Sequence, residues 1–480
     1  MPAGGVETYG ERVSDTRSST ASQTRRVSGV RADILCAAAA AILVAAAFVV
    51  PRISTPHYRD SLYAAAAPIF GSWLPHLGWG TGPAIVLAVA VILYGPKLAA
   101  ALPWRRLLLG TWVTALAWAF SLAMVDGWQR GFAGRLTTMH EYLHEVGGVH
   151  DIPAMLRGFS GRILDYQPDS WTTHVSGHPP GALLVFVWLD RIGLGGGAWA
   201  STLCVLVGCS ASVAVLVAMR ALGAEGRART AAPYLALAPA AIWLAVSADA
   251  FFAGVVAWAV AALAIGVGGP RSRPLILFGS GVLFGFGIYL NYGLVLMAVP
   301  AAAVALLRGV RAVWPAALGV LAVIAAFTLS GFWWLEGYHL VVQRYYQGIA
   351  TTRPMSYWIW GNLAATVCAV GLASVAALHR LPGALHVPAP AEIRAAPATA
   401  FARWRTRADP AALLALAALS GLLLADLSGL SKAETERIWL PFDIWVIGGT
   451  ALLPARTARA WLAVQAIGTL VLAHLVLTNW

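Results

Sequence analysis

The stretch DILCAAAAAILVAAAFVV, residues 33–50, decides the class of fold. After Asp33 it carries no charged side chain, and a helix of roughly 20 apolar residues is long enough to cross the hydrocarbon core of a bilayer. Similar apolar stretches recur along the whole chain, so the sequence predicts an all-α, polytopic transmembrane helical bundle with about thirteen spans. The predicted spans are residues 33–50, 81–101, 107–125, 198–219, 230–248, 251–267, 274–289, 292–307, 312–332, 357–378, 411–425, 442–454 and 461–477.

The composition supports lipid as the main solvent of this surface. Of the 480 residues, 59% are hydrophobic and only 11% are charged, whereas about 25% of a soluble domain is charged. The net charge of +12 does not indicate a nucleic-acid partner, because the arginines form short clusters between the apolar runs. That distribution is typical of cytoplasmic loops beside anionic membrane lipids. The four cysteines lie inside apolar stretches and are expected to be small core residues.

The arginine clusters also predict the orientation in the cell membrane. Residues 1–32 form a polar, Arg- and Ser-rich segment, interpreted as a disordered cytoplasmic tail ahead of the transmembrane body at 33–480. Residues 379–409 are a basic linker, expected on the cytoplasmic side. The arginine-rich loops stay on one side only if residues 179–194 do not cross, so we expect a re-entrant or surface helix there. Residues 126–178 then form a large extracytoplasmic loop after the third span.

Two predicted outer features carry polar groups next to apolar helices. Asp126 directly follows the third span, where it could be a general base at the membrane surface or simply a helix-end carboxylate. His174 and His178 lie in His-Val-Ser-Gly-His-Pro-Pro, and the tandem prolines are expected to begin a helix. His178 would then lie at a helix N-terminus, which favours anions, although the same motif is also compatible with a rigid turn.

Further charges follow in the later loops predicted to face outward. Asp249 is expected at the outer end of a helical hairpin, as an acid with a function or as a cap. The segment SKAETERIWLPF, residues 431–442, contains Lys432, Glu434 and Arg437. Its cations could bind a phosphate, or the segment could be an ordinary aromatic belt with flanking charges. Arg344 lies in an aromatic-rich stretch that could contact a sugar ring or anchor in head groups.

The order of these motifs resembles the polytopic glycosyltransferases of superfamily C, which include protein O-mannosyltransferases and aminoarabinose transferases. Those proteins have an acid just after a span in the first large outer loop, as Asp126 is here. A His-Pro-Pro motif opens an apolar helix, as His178-Pro179-Pro180 does. A Pro-then-Asp hairpin resembles the segment that ends at Asp249, and a late Arg ahead of an aromatic-Pro stretch resembles residues 437–441. The family often has Asp-Glu after the span, where this chain has Asp-Gly.

The resemblance implies a function and a set of roles. The donor would be a polyprenyl-phosphate sugar, and the acceptor an extracytoplasmic glycan, lipid or protein. Asp126 would take a proton from the acceptor hydroxyl, which attacks the anomeric carbon with inversion; Glu141 or Asp60 are alternatives for that base. The leaving phosphate would be stabilised by Arg437, Lys432 and His178. No cofactor or metal is implied.

A rival pattern lies in the same outer loop. Residues 140–150, HEYLHEVGGVH, match H-E-x-x-H-x-x-G-x-x-H, the zinc-protease pattern with three histidine ligands and a glutamate base. His140 and His144 would lie one helical turn apart, His150 would be the third ligand, and Glu141 the base. No twisted sheet precedes the motif and no Met-turn is evident. A lipid-linked substrate transporter or flippase is a third possibility, disfavoured because the predicted spans carry few charges.

Overall fold

The protein is almost entirely helical in a computed structural model, which describes residues 11–269, 272–309 and 313–479, with side chains from residue 29 onward. Residues 1–10 of the predicted tail, and Arg271 and Arg311 of two arginine clusters, lie outside the described residues. The α-helices of the first half are α1 Glu11–Ile53, α2 Pro56–Ser61, α3 Thr81–Ala101, α4 Trp104–Ala123, α5 Leu143–Val146, α6 Ile152–Gly158, α7 Thr173–Ser176, α8 Pro180–Arg191, α9 Gly197–Ala221, α10 Glu225–Ala236, α11 Ala241–Leu244 and α12 Ala248–Val267.

The second half continues in the same way. Its α-helices are α13 Pro274–Leu290, α14 Ala298–Arg308, α15 Trp314–Leu329, α16 Trp334–Gln347, α17 Met355–Val370, α18 Leu372–Leu378, α19 Leu381–Leu385, α20 Pro390–Ala395, α21 Pro397–Arg407, α22 Pro410–Leu427, α23 Thr435–Ile438, α24 Leu440–Gly448 and α25 Ala458–Leu475. Two short strands pair antiparallel, β1 (Gly71–Trp73) with β2 (Val476–Thr478), with Gly71 opposite Thr478. They attach the first loop to the C-terminal end.

Within the described residues, seven helices are long and apolar enough to cross a membrane, or up to nine if each of two bent helix pairs is one span. The prediction of an all-α polytopic fold is therefore supported, whereas the count of thirteen spans is not. The predicted span at 230–248 is replaced by α10 and the one-turn α11, because the chain leaves the helix after Ala236. Three other predicted spans correspond to shorter apolar helices, Pro274–Leu290, Tyr292–Arg308 and Leu440–Leu452.

A glycine with positive φ lies at the bend of each of the two bent helix pairs. Gly331 (φ 98°) lies between α15 and α16, and Gly371 (φ 80°) between α17 and α18. Positive φ costs little for glycine because it has no Cβ, so the axes turn by 75° and 108° at these two residues. The first bend directs the amphipathic α16 away from the direction of α15.

Large apolar side chains remain exposed on the outer helices, as expected where lipid replaces water. Leu329 is 88% exposed and Leu275 is 87% exposed. By contrast α8, at 12 residues, is about 18 Å long and too short to span a bilayer core. Its residues from Pro180 to Val187 are all buried inside the protein, and the re-entrant or surface position of residues 179–194 stays a prediction.

Helices α12 and α22 set the position of the functional groups. Asp249 lies in the first turn of α12, and α12 packs closely against α9 through small Ala, Gly, Ser and Cys side chains. Helix α22 begins at Pro410, where the Asp409 carboxylate accepts a hydrogen bond from the Ala411 N–H at 2.9 Å. Arg437 follows α22 on the short helix α23, so Asp249 and Arg437 meet at one end of the bundle.

The predicted orientation leads to an expected labelling result. In a protein without its native cysteines, a cysteine replacing Glu225 should be protected from a membrane-impermeant maleimide in intact cells, and one replacing Asp169 should react. The reason is the arginine bias around residues 220–229, which favours the cytoplasmic side. Asp169 is a suitable outer control because its side chain is 67% exposed. Labelling at position 225 in intact cells would refute the orientation.

Candidate functional site

The long loop at residues 126–178, predicted to face outward and here termed the outer loop, places Glu141 and Tyr142 in the interior. The Tyr142 ring stacks on Phe186 of α8, with ring centroids 5.2 Å apart, and only 4% of Glu141 is exposed. The His174 N–H donates to the His140 carbonyl at 3.0 Å, which joins two parts of the loop that are distant in sequence. Glu141 Oε1 consequently lies 3.7 Å from His174 Nε2.

The two histidines of the His-Pro-Pro motif lie beside this pair. The His178 Nδ1 lies 2.7 Å from the His174 carbonyl oxygen, a distance that places the proton on Nδ1. The His178 ring centroid is 5.7 Å from that of Tyr142 and 5.6 Å from that of Phe252 on α12. Pro180 then occupies the first turn of α8, where its missing N–H costs no hydrogen bond.

The segment before α23 brings Arg437 into the same region. Ala433 and Glu434 have positive φ values of 72° and 63°, a conformation that costs energy in residues with a Cβ and is concentrated at functional sites. The guanidinium of Arg437 binds the Asp249 carboxylate, and its Nη2 lies 3.2 Å from Glu434 Oε2. Because this ion pair is buried, Asp249 and Glu434 offset the cost of placing the guanidinium inside the protein.

Burial and charge set the protonation of the cluster formed by Glu141, His174, His178, Asp249 and Arg437, here termed the buried cluster. Burial raises the pKa of Glu141 to about 7, against the opposing effect of Arg437. Desolvation lowers the pKa of His174 well below its ordinary value and lowers that of His178. The Glu141–His174 contact is therefore not an ion pair at neutral pH, because the imidazole is uncharged.

Asp249 offers a free acceptor in the buried cluster. Its Oδ2 binds Arg437, whereas Oδ1 is buried and accepts no hydrogen bond from the described part of the chain. A buried carboxylate oxygen without a donor is costly, so this atom is suited to a hydroxyl group of a substrate.

Asp126 lies in a neighbouring polar environment. Its Oδ1 is 2.7 Å from Nε2 of His76, and both side chains are partly buried. Arg135 is electrostatically coupled to both Asp126 and Glu141, although burial and the nearby Arg130 lower its pKa to about 10. Asp126 makes no hydrogen bond or ion pair with the buried cluster in the described structure.

Other predicted site residues have contacts of their own. Lys432 Nζ donates to the Ala350 carbonyl at 2.9 Å. Arg344 on α16 lies 2.5 Å from Asp165 Oδ2 through Nη1 and donates from Nε to Ser176 Oγ at 3.3 Å. Arg344 thus attaches α16 to the outer loop. Asp60, the other alternative base, is exposed and pairs with Arg59 at 3.3 Å.

Sequence reasoning missed three buried charges around α23. Arg353 bridges to Glu434 Oε1 at 3.4 Å and donates to the Lys432 carbonyl at 2.8 Å. Glu436 accepts the Phe70 N–H at 2.8 Å, and burial raises its pKa to about 7. Asp443, in α24, is fully buried. The sequence did offer a signal for these charges, because Arg353 precedes Pro354, and Glu436 and Asp443 lie beside a predicted span. Charges that merely flank a membrane span give the same pattern.

The structure does not place the residues of the zinc-protease pattern as that pattern requires. Helix α5 begins only at Leu143, so His140 is not on a helix with His144. His140, His144 and His150 are exposed, whereas Glu141 turns into the interior. Within the described ranges, no group of three or more His, Cys, Asp and Glu side chains could hold a metal ion.

This arrangement leads to an expected result for the three histidines. Replacing His140, His144 and His150 together by Ala should leave activity within about tenfold, because removing ligands from a catalytic zinc site abolishes its chemistry. The rate and the metal content of the purified protein are measured side by side. Stoichiometric zinc that disappears in the triple variant, together with activity, would restore the zinc interpretation.

Comparison with known proteins gives a distant similarity to a solved structure. No protein-family model matches the chain, and no curated protein matches it. Among solved structures, the Archaeoglobus fulgidus oligosaccharyltransferase, in complex with Zn and sulfate, is similar over 76% of this chain and 52% of that chain. The sequence identity is 15% and the TM-score 0.42, and this chain spans about half the length of that one.

Proposed function

We propose that this protein is a membrane glycosyltransferase that moves a sugar from a polyprenyl-phosphate donor to a hydroxyl group of an extracytoplasmic glycan, lipid or protein. The observation that supports it is the buried cluster, in which a carboxyl group with a pKa near 7 lies close to an arginine and two neutral histidines. These groups lie at the ends of apolar helices, where a lipid-borne head group would enter.

The proposed reaction needs one base and one phosphate-binding cation. Glu141 takes the proton of the acceptor hydroxyl while that oxygen forms a bond to the anomeric carbon of the sugar. The bond from the anomeric carbon to the phosphate oxygen breaks with inversion, and polyprenyl phosphate leaves with the electron pair. Arg437 stabilises the negative charge that develops on the phosphate. Asp126 is the other candidate for the base.

The remaining groups orient the reactants in this proposal. Asp249 holds Arg437 with one oxygen, and its free Oδ1 accepts a hydrogen bond from a sugar hydroxyl. The neutral imidazoles of His174 and His178 act as uncharged hydrogen-bonding partners. Glu434 places the second carboxylate beside Arg437, and Lys432 contributes positive charge on the same segment.

Entry of the donor requires a movement, because Glu141, Asp249 and Arg437 are each less than 5% exposed. Polar contacts between α16 and the outer loop include those of Arg344 and the hydrogen bonds that Tyr166 and Asp165 donate to Gln347 at 3.2 and 2.8 Å. Opening these contacts would separate α16 from the segment that carries His174 and His178.

The test is a transfer assay with purified protein. Polyprenyl-phosphate mannose or arabinose, radiolabelled in the sugar, is incubated with glycan, lipid and peptide acceptors, and transfer of the label with release of polyprenyl phosphate is measured. A nucleotide sugar is the control donor. Movement of the labelled lipid across a liposome membrane without any transfer would favour a flippase and overturn the proposal.

A further inference from the structure

A polar cavity lies at the opposite end of the bundle from the buried cluster. It has a volume of about 1110 Å³ and includes the last residue of α12, Val267, and the first residue of α22, Pro410. Asp249 lies in the first turn of α12, a helix of 20 residues, so roughly 30 Å separate the two regions. The cavity is as large as sites for small ligands, which range over about 300–1,000 Å³.

The cavity is strongly basic. Its lining contains Arg227, Arg308, Arg405 and Arg407, together with His386 and a single acid, Asp409. Four arginines against one aspartate leave a net charge of +3 with the histidine neutral. These arginines come from three separate segments, α10, the end of α14, and α21 in the basic linker. Their convergence on one concave surface differs from a row of charges along a flat loop.

Most of this charge is not neutralised by the protein. Asp409 Oδ2 pairs with Arg227 Nε at 2.6 Å, and Arg227 also donates to the Ala451 carbonyl at 2.9 Å. In the described part of the chain, Arg308, Arg405 and Arg407 form no ion pair. Arg405 is nevertheless held in place, because its Nε donates to the Leu307 carbonyl at 3.1 Å. Positioned guanidinium groups without a carboxylate are suited to binding phosphate oxygens.

We propose that this cavity binds a phosphate-bearing anion, independently of the sugar-transfer site. Its other walls are apolar at Leu222, Val267 and Leu307, so it offers charge for a phosphate and an apolar surface for the adjoining part of an amphiphile. The phosphate could belong to an anionic lipid head group or to a soluble molecule, and both present the same oxygens to the arginines.

The experiment measures binding to the full-length protein in a neutral detergent. One arm titrates phosphatidylglycerol, with diacylglycerol of the same chains as the phosphate-free control; the other titrates radiolabelled pyrophosphate by equilibrium dialysis. Arg308→Gln with Arg407→Gln removes two of the unpaired charges, and should weaken binding about tenfold or more. The matched control, Arg394→Gln with Arg403→Gln, changes two exposed arginines of the same linker outside the cavity, and should stay within about twofold.

The two arms distinguish the sources. If phosphatidylglycerol binds saturably and pyrophosphate does not bind, the ligand is a lipid head group. If pyrophosphate binds and competes with phosphatidylglycerol, the cavity accepts a soluble phosphate. Equal effects of the two double variants would overturn the proposal, since the charge would then act without a defined site. If the cavity variant does not fold, the measurements on the unmodified protein test the proposal. Equal affinity for phosphatidylglycerol and diacylglycerol, with no binding of pyrophosphate, would also overturn the proposal.

Discussion

Replacing Glu141 by Gln should lower sugar transfer by about a hundredfold or more while the protein still folds. The amide keeps the shape of the side chain but cannot accept a proton, and general bases typically contribute a factor of about 10² to 10⁴. Folding should persist because burial already disfavours the charged form of Glu141, so a neutral amide adds no new buried charge.

The pH dependence provides an independent readout for Glu141. Burial raises the pKa of this carboxyl group to about 7, and a base acts only in its deprotonated form. The rate of transfer should therefore rise as the pH increases towards about 7 and level off above it. The Glu141→Gln variant should lose this limb of the profile, which a merely structural defect would not remove.

Asp126→Asn is the matched comparison for this prediction. Asp126 is bonded to His76, and we expect transfer within about tenfold of the unmodified protein. Each variant removes one carboxylate, at the start of the loop for Asp126 and inside the loop for Glu141. The difference between their rates of transfer therefore shows which carboxylate is the base. A hundredfold loss in Asp126→Asn, with an active Glu141→Gln protein, would assign the base to Asp126 instead.

The class of fold could be predicted because apolar length is a local property. The spans at 33–50 and 81–101 were evident from composition alone, and the second matches α3 residue for residue. The count of thirteen spans is not matched by the seven to nine described helices or bent pairs that are long and apolar enough to cross, because apolar residues also fill the protein interior. Residues 230–248 illustrate this: they are buried almost throughout, yet they form α10, a turn and α11. Hydropathy does not distinguish lipid from a protein core as the apolar partner.

The individual site residues were predictable, but their partners were not. Asp249 and Arg437 are both evident as charges beside apolar helices, but they are 188 residues apart, and only the packing of α12 against α23 and α24 brings them together. Glu141 was predicted only as an alternative base, and the spacing of the neighbouring histidines also indicated a zinc site. The structure instead turns Glu141 inward and leaves the histidines exposed, because Tyr142 packs on Phe186.

Arg437→Gln should raise the KM for the lipid-linked donor at least tenfold and have little effect on the KM for the acceptor. The proposed role of Arg437 is to bind the phosphate of the donor, and a hydrogen bond to a charged group contributes about 1.5–3 kcal/mol. The same change should destabilise the fold, because it leaves Asp249 buried without its cation. Breaking a buried ion pair on one side costs about 3–5 kcal/mol.

A double variant separates these two effects. Asp249→Asn together with Arg437→Gln removes both charges, so the unpaired carboxylate disappears and thermal stability should largely recover. Donor affinity should not recover, because no guanidinium remains to bind the phosphate. Thermal unfolding and steady-state kinetics on both variants measure the two quantities separately. If transfer returns along with stability, Arg437 serves only the fold. The phosphate of the donor must then be bound by other cations, of which Lys432 and Arg353 are the nearest along the Glu434 network.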